Sequence, residues 1–184
     1  MSENKIPDEA KKVFVGEIFD VYQWEQELYD GSITTYEMLK RADTVQVLAI
    51  VEGKLVILID EQPFRGKKLC FPAGKVEPGE DWLTAAKRET KEEAGMTFAD
   101  WRLIYVEDNI PRMEYASVFF VAQNLVSRGE QTPDPGEKIE VTLREFAEVK
   151  DIVMNNVDEH LRFAKPIFEQ IDSLQQIIDL PEHK

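Results

Sequence analysis

The chain has 184 residues, 43% hydrophobic and 10% aromatic, the apolar content of a folded domain rather than of a disordered segment. With 22 Lys and Arg against 36 Asp and Glu, the formal net charge is -14, which excludes a general nucleic-acid binder and argues against an anionic membrane surface as partner. One cysteine, Cys70, rules out an internal disulfide framework; with a polar N-terminus and no apolar run long enough to span a bilayer, the expected setting is the reducing cytoplasm.

Residues 13–28 are rich in aromatic and β-branched side chains and read as a strand. Asp30-Gly31 turns the chain, and 33–39 returns as the second arm of a hairpin. Strands follow over 44–51 and 54–59, joined at Glu52-Gly53, with a short apolar stretch at 69–71 before Pro72. A helix is expected over 81–94, then strands over 101–107, 116–123 and 139–143. Two loops separate these strands: 108–115, with Pro111, and 127–138, with Pro133, Pro135, Gly129 and Gly136. Leu161, Ile167, Phe168, Ile171, Leu174 and Ile178 recur near the 3.6 period, which predicts a helix over 158–178, started or kinked at Pro166. The class is α/β or α+β, a mixed sheet with helices. An N-terminal β extension over 1–43 precedes a main domain over 44–184.

The chemistry is concentrated between Gly74 and Met96. Pro78-Gly79 makes a turn, Glu80 or Asp81 can cap the helix that follows, and Gly95 stands where helices commonly end. On that helix Glu89, Glu92 and Glu93 stand at i, i+3 and i+4 and share a face, while Leu83, Ala86, Thr90 and Ala94 can pack inward. A solvated face would interleave such carboxylates with lysine. Here only Arg88, four residues before Glu92, is placed to pair. Clustered carboxylates suit a hard divalent cation, which takes oxygen ligands and retains waters or substrate phosphates.

The spacing of Gly74, Glu80, Arg88, Glu89, Glu92, Glu93, Gly95 and Met96 resembles the Nudix box, G-x5-E-x7-R-E-U-x-E-E-x-G-U with U aliphatic. Thr90 stands at an aliphatic position, with a shape close to valine. The resemblance implies the Nudix fold, a mixed sheet sandwiched between helices. It implies hydrolysis of a nucleoside diphosphate linked to another moiety, with Mg²⁺ or Mn²⁺ held by Glu89, Glu92, Glu93 and the backbone carbonyl of Ala73. Gly74, Glu80, Arg88 and Gly95 would be structural, with Glu80 and Arg88 holding the loop onto the helix.

The stretches Phe71-Pro72-Ala73-Gly74-Lys75 and Glu77-Pro78-Gly79-Glu80-Asp81 are similar to the ADP-ribose pyrophosphatase branch of that family. So are Glu61-Gln62-Pro63-Phe64-Arg65, Thr35-Tyr36-Glu37 with Arg41, and Pro111. The branch implies that Arg65 contacts substrate phosphates, that Tyr36 stacks on the base, and that Arg41, Pro111 and Glu114 complete a substrate site. It also implies a homodimer in which the N-terminal hairpin is exchanged. Pro135-Gly136-Glu137 matches a loop whose glutamate positions or activates water, with Glu140 as competitor. The chain departs from the branch in its short connection from Arg65 to Pro72 and in Arg112, where glycine is expected. The implied reaction is ADP-ribose to AMP and ribose 5-phosphate. The alternatives are another nucleotide sugar, a dinucleoside polyphosphate, or a non-catalytic nucleotide sensor. Phe19 and Trp24 read as core or interface aromatics, and Cys70 as a small buried hydrophobe. His160 and His183, the only histidines, lie too near the terminus to serve a triad.

Overall fold

The computed structural model describes residues 5–63, 65–155 and 161–183. In chain order the strands are β1 (Lys11–Val15), β2 (Asp20–Glu27), β3 (Ile33–Lys40), β4 (Thr44–Val51), β5 (Lys54–Gln62), β6 (Gly66–Cys70), β7 (Ala73–Lys75), β8 (Met96–Glu107), β9 (Met113–Glu114), β10 (Ser117–Arg128) and β11 (Lys138–Arg144). The helices are α1 (Trp82–Ala94), α2 (Phe146–Asn155), α3 (Lys165–Phe168) and α4 (Leu174–Asp179). This is the mixed α+β class. Two compact units divide the chain, Met1–Asp43 with Glu107–Ser117, and Thr44–Val106 with Val118–Lys184. Among the described residues no helix is long and apolar enough to cross a membrane.

The smaller unit is a sheet in the order β1-β2-β3-β9. Its hairpin closes at Asp30, whose Oδ1 accepts from the Ser32 amide and hydroxyl at 3.0 and 2.7 Å while Gly31 takes a φ of 80°. The single strand expected over 13–28 is instead two paired antiparallel strands. The chain reverses at Gly16, whose N–H donates to the Phe19 carbonyl at 3.1 Å. A Cβ at Gly16 would meet that carbonyl at 2.7 Å, so the turn needs glycine. Residues 113–114, expected as loop, pair in parallel with the end of β3, Leu39 opposite Met113. Arg112 precedes them at φ 56°, which explains why glycine would be at home there.

In the larger unit the sheet runs β11-β5-β4-β10-β8, with β6 against β5 and β7 against β4. The central strands are apolar on both faces: Val45, Val47, Leu48 and Ala49 of β4 and Leu55 to Leu58 of β5 are fully buried. The core gathers Leu48, Ile57, Phe71, Phe119, Val149 and Phe168, with Phe168 stacked between Phe71 and Phe146 at 6.1 and 6.0 Å.

The helix predicted over 158–178 is corrected. Residues 158–160, His160 included, lie outside the described residues. Beyond them come a 3₁₀ turn (Arg162–Ala164), α3 with Pro166 in its first turn, and α4, newly capped by Ser173. The predicted apolar residues Leu161, Ile167, Phe168 and Ile171 are buried all the same. A short helix, α2, precedes them where none was expected. β8 begins at Met96 rather than 101 and β10 runs on to Arg128, so the second loop starts later than expected. Cys70 is half-buried at the end of β6.

Candidate active site

β7 and the turn after it lead into α1. Asp81 caps the helix, its Oδ1 accepting from the Thr84 amide at 2.7 Å, and Gly95 ends it at φ 67°. Ala85, Ala86, Thr90 and Ala94 form the buried face, whereas Leu83, expected inside, is exposed. Small residues there let α1 lie close to β4 and β7. Thr90 is accommodated because its hydroxyl donates to the Ala86 carbonyl at 2.7 Å. Gly74 of β7 lies so near Glu89 that a Cβ on it would meet the Glu89 carboxyl at 2.0 Å.

Arg88 organises the loop and the glutamate face together. Its Nε and Nη2 bind both oxygens of Glu80 at 3.1 and 2.9 Å, and Nη2 also donates to the Lys75 carbonyl at 3.0 Å. Its Nη1 donates to Glu89 at 2.7 Å and Glu92 at 3.1 Å. Arg88 holds the Glu80 carboxyl below its usual range. Glu80 in turn, more than any other neighbour, favours the charged guanidinium and raises its pKa.

Glu93 accepts a hydrogen bond from the Ala73 amide at 2.8 Å. Burial nonetheless pushes its pKa up to about 9, and the charges of Glu89, Glu137 and Asp60 push the same way. Burial lifts Glu89 to about 7 against the pull of Arg88. These carboxyls are crowded and poorly solvated, a state that an added cation would relieve.

The loop between β10 and β11 is bonded to the C-terminal end of α1. Gly129 N–H donates to the Gly95 carbonyl at 2.7 Å, Thr132 N–H to that of Glu92 at 2.8 Å, and the Gln131 amide to that of Glu93. Glu137 closes this loop, its N–H on the Asp134 carbonyl at 3.0 Å and its Oε1 accepting from Gln62 Nε2 at 3.3 Å. Burial and the charge of Asp60 raise its pKa. Glu140 is exposed on β11, opposite Ile59. Arg65 sits exposed in the turn from β5 to β6.

The remaining expected substrate residues belong to the smaller unit. Tyr36 lies directly across from Trp24, rings 5.0 Å apart, with the Arg112 guanidinium 5.3 Å from its centre. Arg41 lies over Tyr115 at 4.7 Å and Phe19 at 5.6 Å. Pro111 is exposed in the turn before β9. Glu114 is buried and accepts from the amides of Lys5 and Ile6, both at 3.1 Å, and from the Lys40 ammonium.

A divalent cation fits the donor set of the larger unit. Glu89, Glu92, Glu93 and the Ala73 carbonyl offer only oxygen, and Asp60 Oδ1 is buried with no hydrogen-bond partner among the described residues. Among the described residues no three acidic, histidine or cysteine side chains converge as they stand. Arg88 takes Glu89 and Glu92 with one nitrogen, and Ala73 N–H takes Glu93. A cation entering here would displace Nη1, and the hold of Arg88 on Glu80 and Lys75 would remain. Sequence reasoning missed Asp60 and Gln62. Their one signal is an acidic and an amide side chain closing the apolar run of β5.

A family model described as NUDIX domain matches residues 40–170. The chain is 29% identical over 135 residues to an ADP-ribose pyrophosphatase of Bacillus subtilis (strain 168), covering 71% of this chain and 73% of that protein. It is 28% identical over 88 residues to a methanol dehydrogenase activator of Bacillus methanolicus, covering 47% and 48%. Among solved structures, one described as an ADP compounds hydrolase superposes with a TM-score of 0.68 at 22% identity, over 88% of this chain and 92% of that one, a likeness of fold.

Proposed function

Because this chain belongs to the Nudix family, we propose that it hydrolyses the pyrophosphate bond of a nucleoside diphosphate sugar, ADP-ribose to AMP and ribose 5-phosphate, with Mg²⁺ or Mn²⁺. The observation that carries this reading is the packing of Glu89 against Gly74, with Glu92 and Glu93 on the same face of α1. The similarity to an ADP-ribose pyrophosphatase supports the substrate.

Glu89, Glu92, Glu93 and the Ala73 carbonyl would hold the cation, which neutralises phosphate charge and makes water a better nucleophile. Arg65 would clamp the diphosphate with its planar donors. Glu137, tethered by Gln62, would orient the attacking water and take its proton. Little covalent chemistry falls to the protein, so positioning and charge stabilisation carry the rate.

Tyr36, Arg41, Pro111 and Glu114 would complete the substrate site, Glu114 from a buried position bonded to Lys40 of β3. The same reading makes the protein a cytoplasmic homodimer joined through its β extension. Exposed apolar residues on β1 and β3 support this, with Phe14 59%, Val15 71% and Ile33 67% accessible. The second reading, another nucleotide sugar or a dinucleoside polyphosphate, leaves the larger unit's chemistry unchanged. A non-catalytic sensor is disfavoured because every carboxylate of the box is present. Incubation with a panel of these three substrate classes and Mg²⁺, with products identified by mass, tests the proposal. AMP from ADP-ribose supports it, and turnover of another class alone selects the second reading.

A further inference from the structure

β5 is apolar from Leu55 to Ile59 and then presents Asp60 and Gln62. Asp60 lies opposite Ile139, two residues beyond Glu137. Gln62 Nε2 donates to Asp60 Oδ2 at 2.8 Å and to Glu137 Oε1 at 3.3 Å, so one amide joins the strand carboxylate to the loop carboxylate. The other Asp60 oxygen, Oδ1, is buried and accepts from no group among the described residues. The charge of Asp60 is felt by Glu93 as well as by Glu137. A carboxylate with one orphaned oxygen beside two others is unfavourable by itself, and among the described residues no arginine, lysine or histidine is hydrogen-bonded to that oxygen. A cation is the partner its chemistry asks for.

We propose that Asp60 is a further cation-binding residue of this site, adding its orphaned Oδ1 to the oxygens of Glu89, Glu92 and Glu93, and that Gln62 ties it to Glu137. This rests on the divalent-cation reading above. Gln62 thereby becomes a positioning residue that registers the loop glutamate against the cation.

The test is calorimetric titration of Mg²⁺ into the full chain freed of metal, with thermal melts in EDTA. Asp60→Asn keeps the size and the acceptor for Gln62 but loses the charge. It should weaken Mg²⁺ binding by roughly ten- to a hundredfold, while the melting temperature in EDTA holds or rises. Asp60→Ser, a smaller neutral side chain, should show the same loss of affinity. Unchanged Mg²⁺ affinity in the variants beside normal binding by the wild type overturns this inference alone. So does a fall in the EDTA melting temperature with an unaltered Mg²⁺ shift, the mark of a purely structural aspartate. A wild type that binds no Mg²⁺ overturns both this inference and the cation reading beneath it.

Discussion

A Cβ on Gly74 would stand 2.0 Å from the Glu89 carboxyl carbon, well inside van der Waals contact. The first glutamate of the acidic face is therefore seated against bare backbone. Gly74→Ala must push Glu89 aside, and if Glu89 serves the proposed cation, misplacing it by about 1 Å costs on the order of a hundredfold in rate. Steady-state kinetics should show that loss in kcat/KM, with circular dichroism unchanged. Wild-type kinetics would mean that the seat is not used.

Glu80, paired with Arg88, gives a pH signature of its own. Arg88 holds the Glu80 carboxyl below its ordinary value of 4.5. The folded chain thus binds that proton less readily than the unfolded chain. Its contribution is complete above 4.5 and disappears as pH falls through the lowered value. Glu80→Gln should lower the melting temperature at neutral pH, and the gap to wild type should close as pH falls below about 4.5. A gap that stays constant with pH would separate the pair from acid stability.

Two glutamates compete for the role of water-orienting group, Glu137 at the end of the loop and Glu140 on β11. Glu137 is partly buried and tethered by Gln62, whereas Glu140 is exposed. Glu137→Gln should reduce kcat by roughly ten- to a thousandfold with KM little changed, and Glu140→Gln should leave both alone. The reverse outcome transfers the role to Glu140, and no effect in either leaves the loop without a base.

Much of the larger unit was legible because its signals are local. The caps at Asp81 and Gly95, the turn at Gly79 and the apolar runs of β4 and β5 each follow from neighbouring residues. What the sequence hid depends on partners far along the chain. The 158–178 periodicity reports burial, not continuity, so it could not reveal the break before Ser173. The reversal at Gly16 was hidden by apolar residues on both sides of it. The same holds in the site. Spacing put three glutamates on one face, but that Arg88 grips two of them, and that Gln62 reaches Glu137, 75 residues away, appears only in three dimensions.

The β extension carries the dimer prediction. Sedimentation at micromolar concentration should give a dimer, and Val15→Glu with Ile33→Glu should shift it to a folded monomer, since charges on exposed apolar strands oppose association. A wild-type monomer with full activity would contradict the exchanged hairpin.

The proposed reaction is cation-dependent attack of water on a pyrophosphate phosphorus. Its most direct test is turnover of ADP-ribose in ¹⁸O-labelled water with Mg²⁺, with both products weighed by mass spectrometry. Such attack gives AMP and ribose 5-phosphate in equal amounts, one ¹⁸O on a phosphate of one product, and no reaction in excess EDTA. Label absent from both phosphates, or undiminished turnover in EDTA, would contradict it.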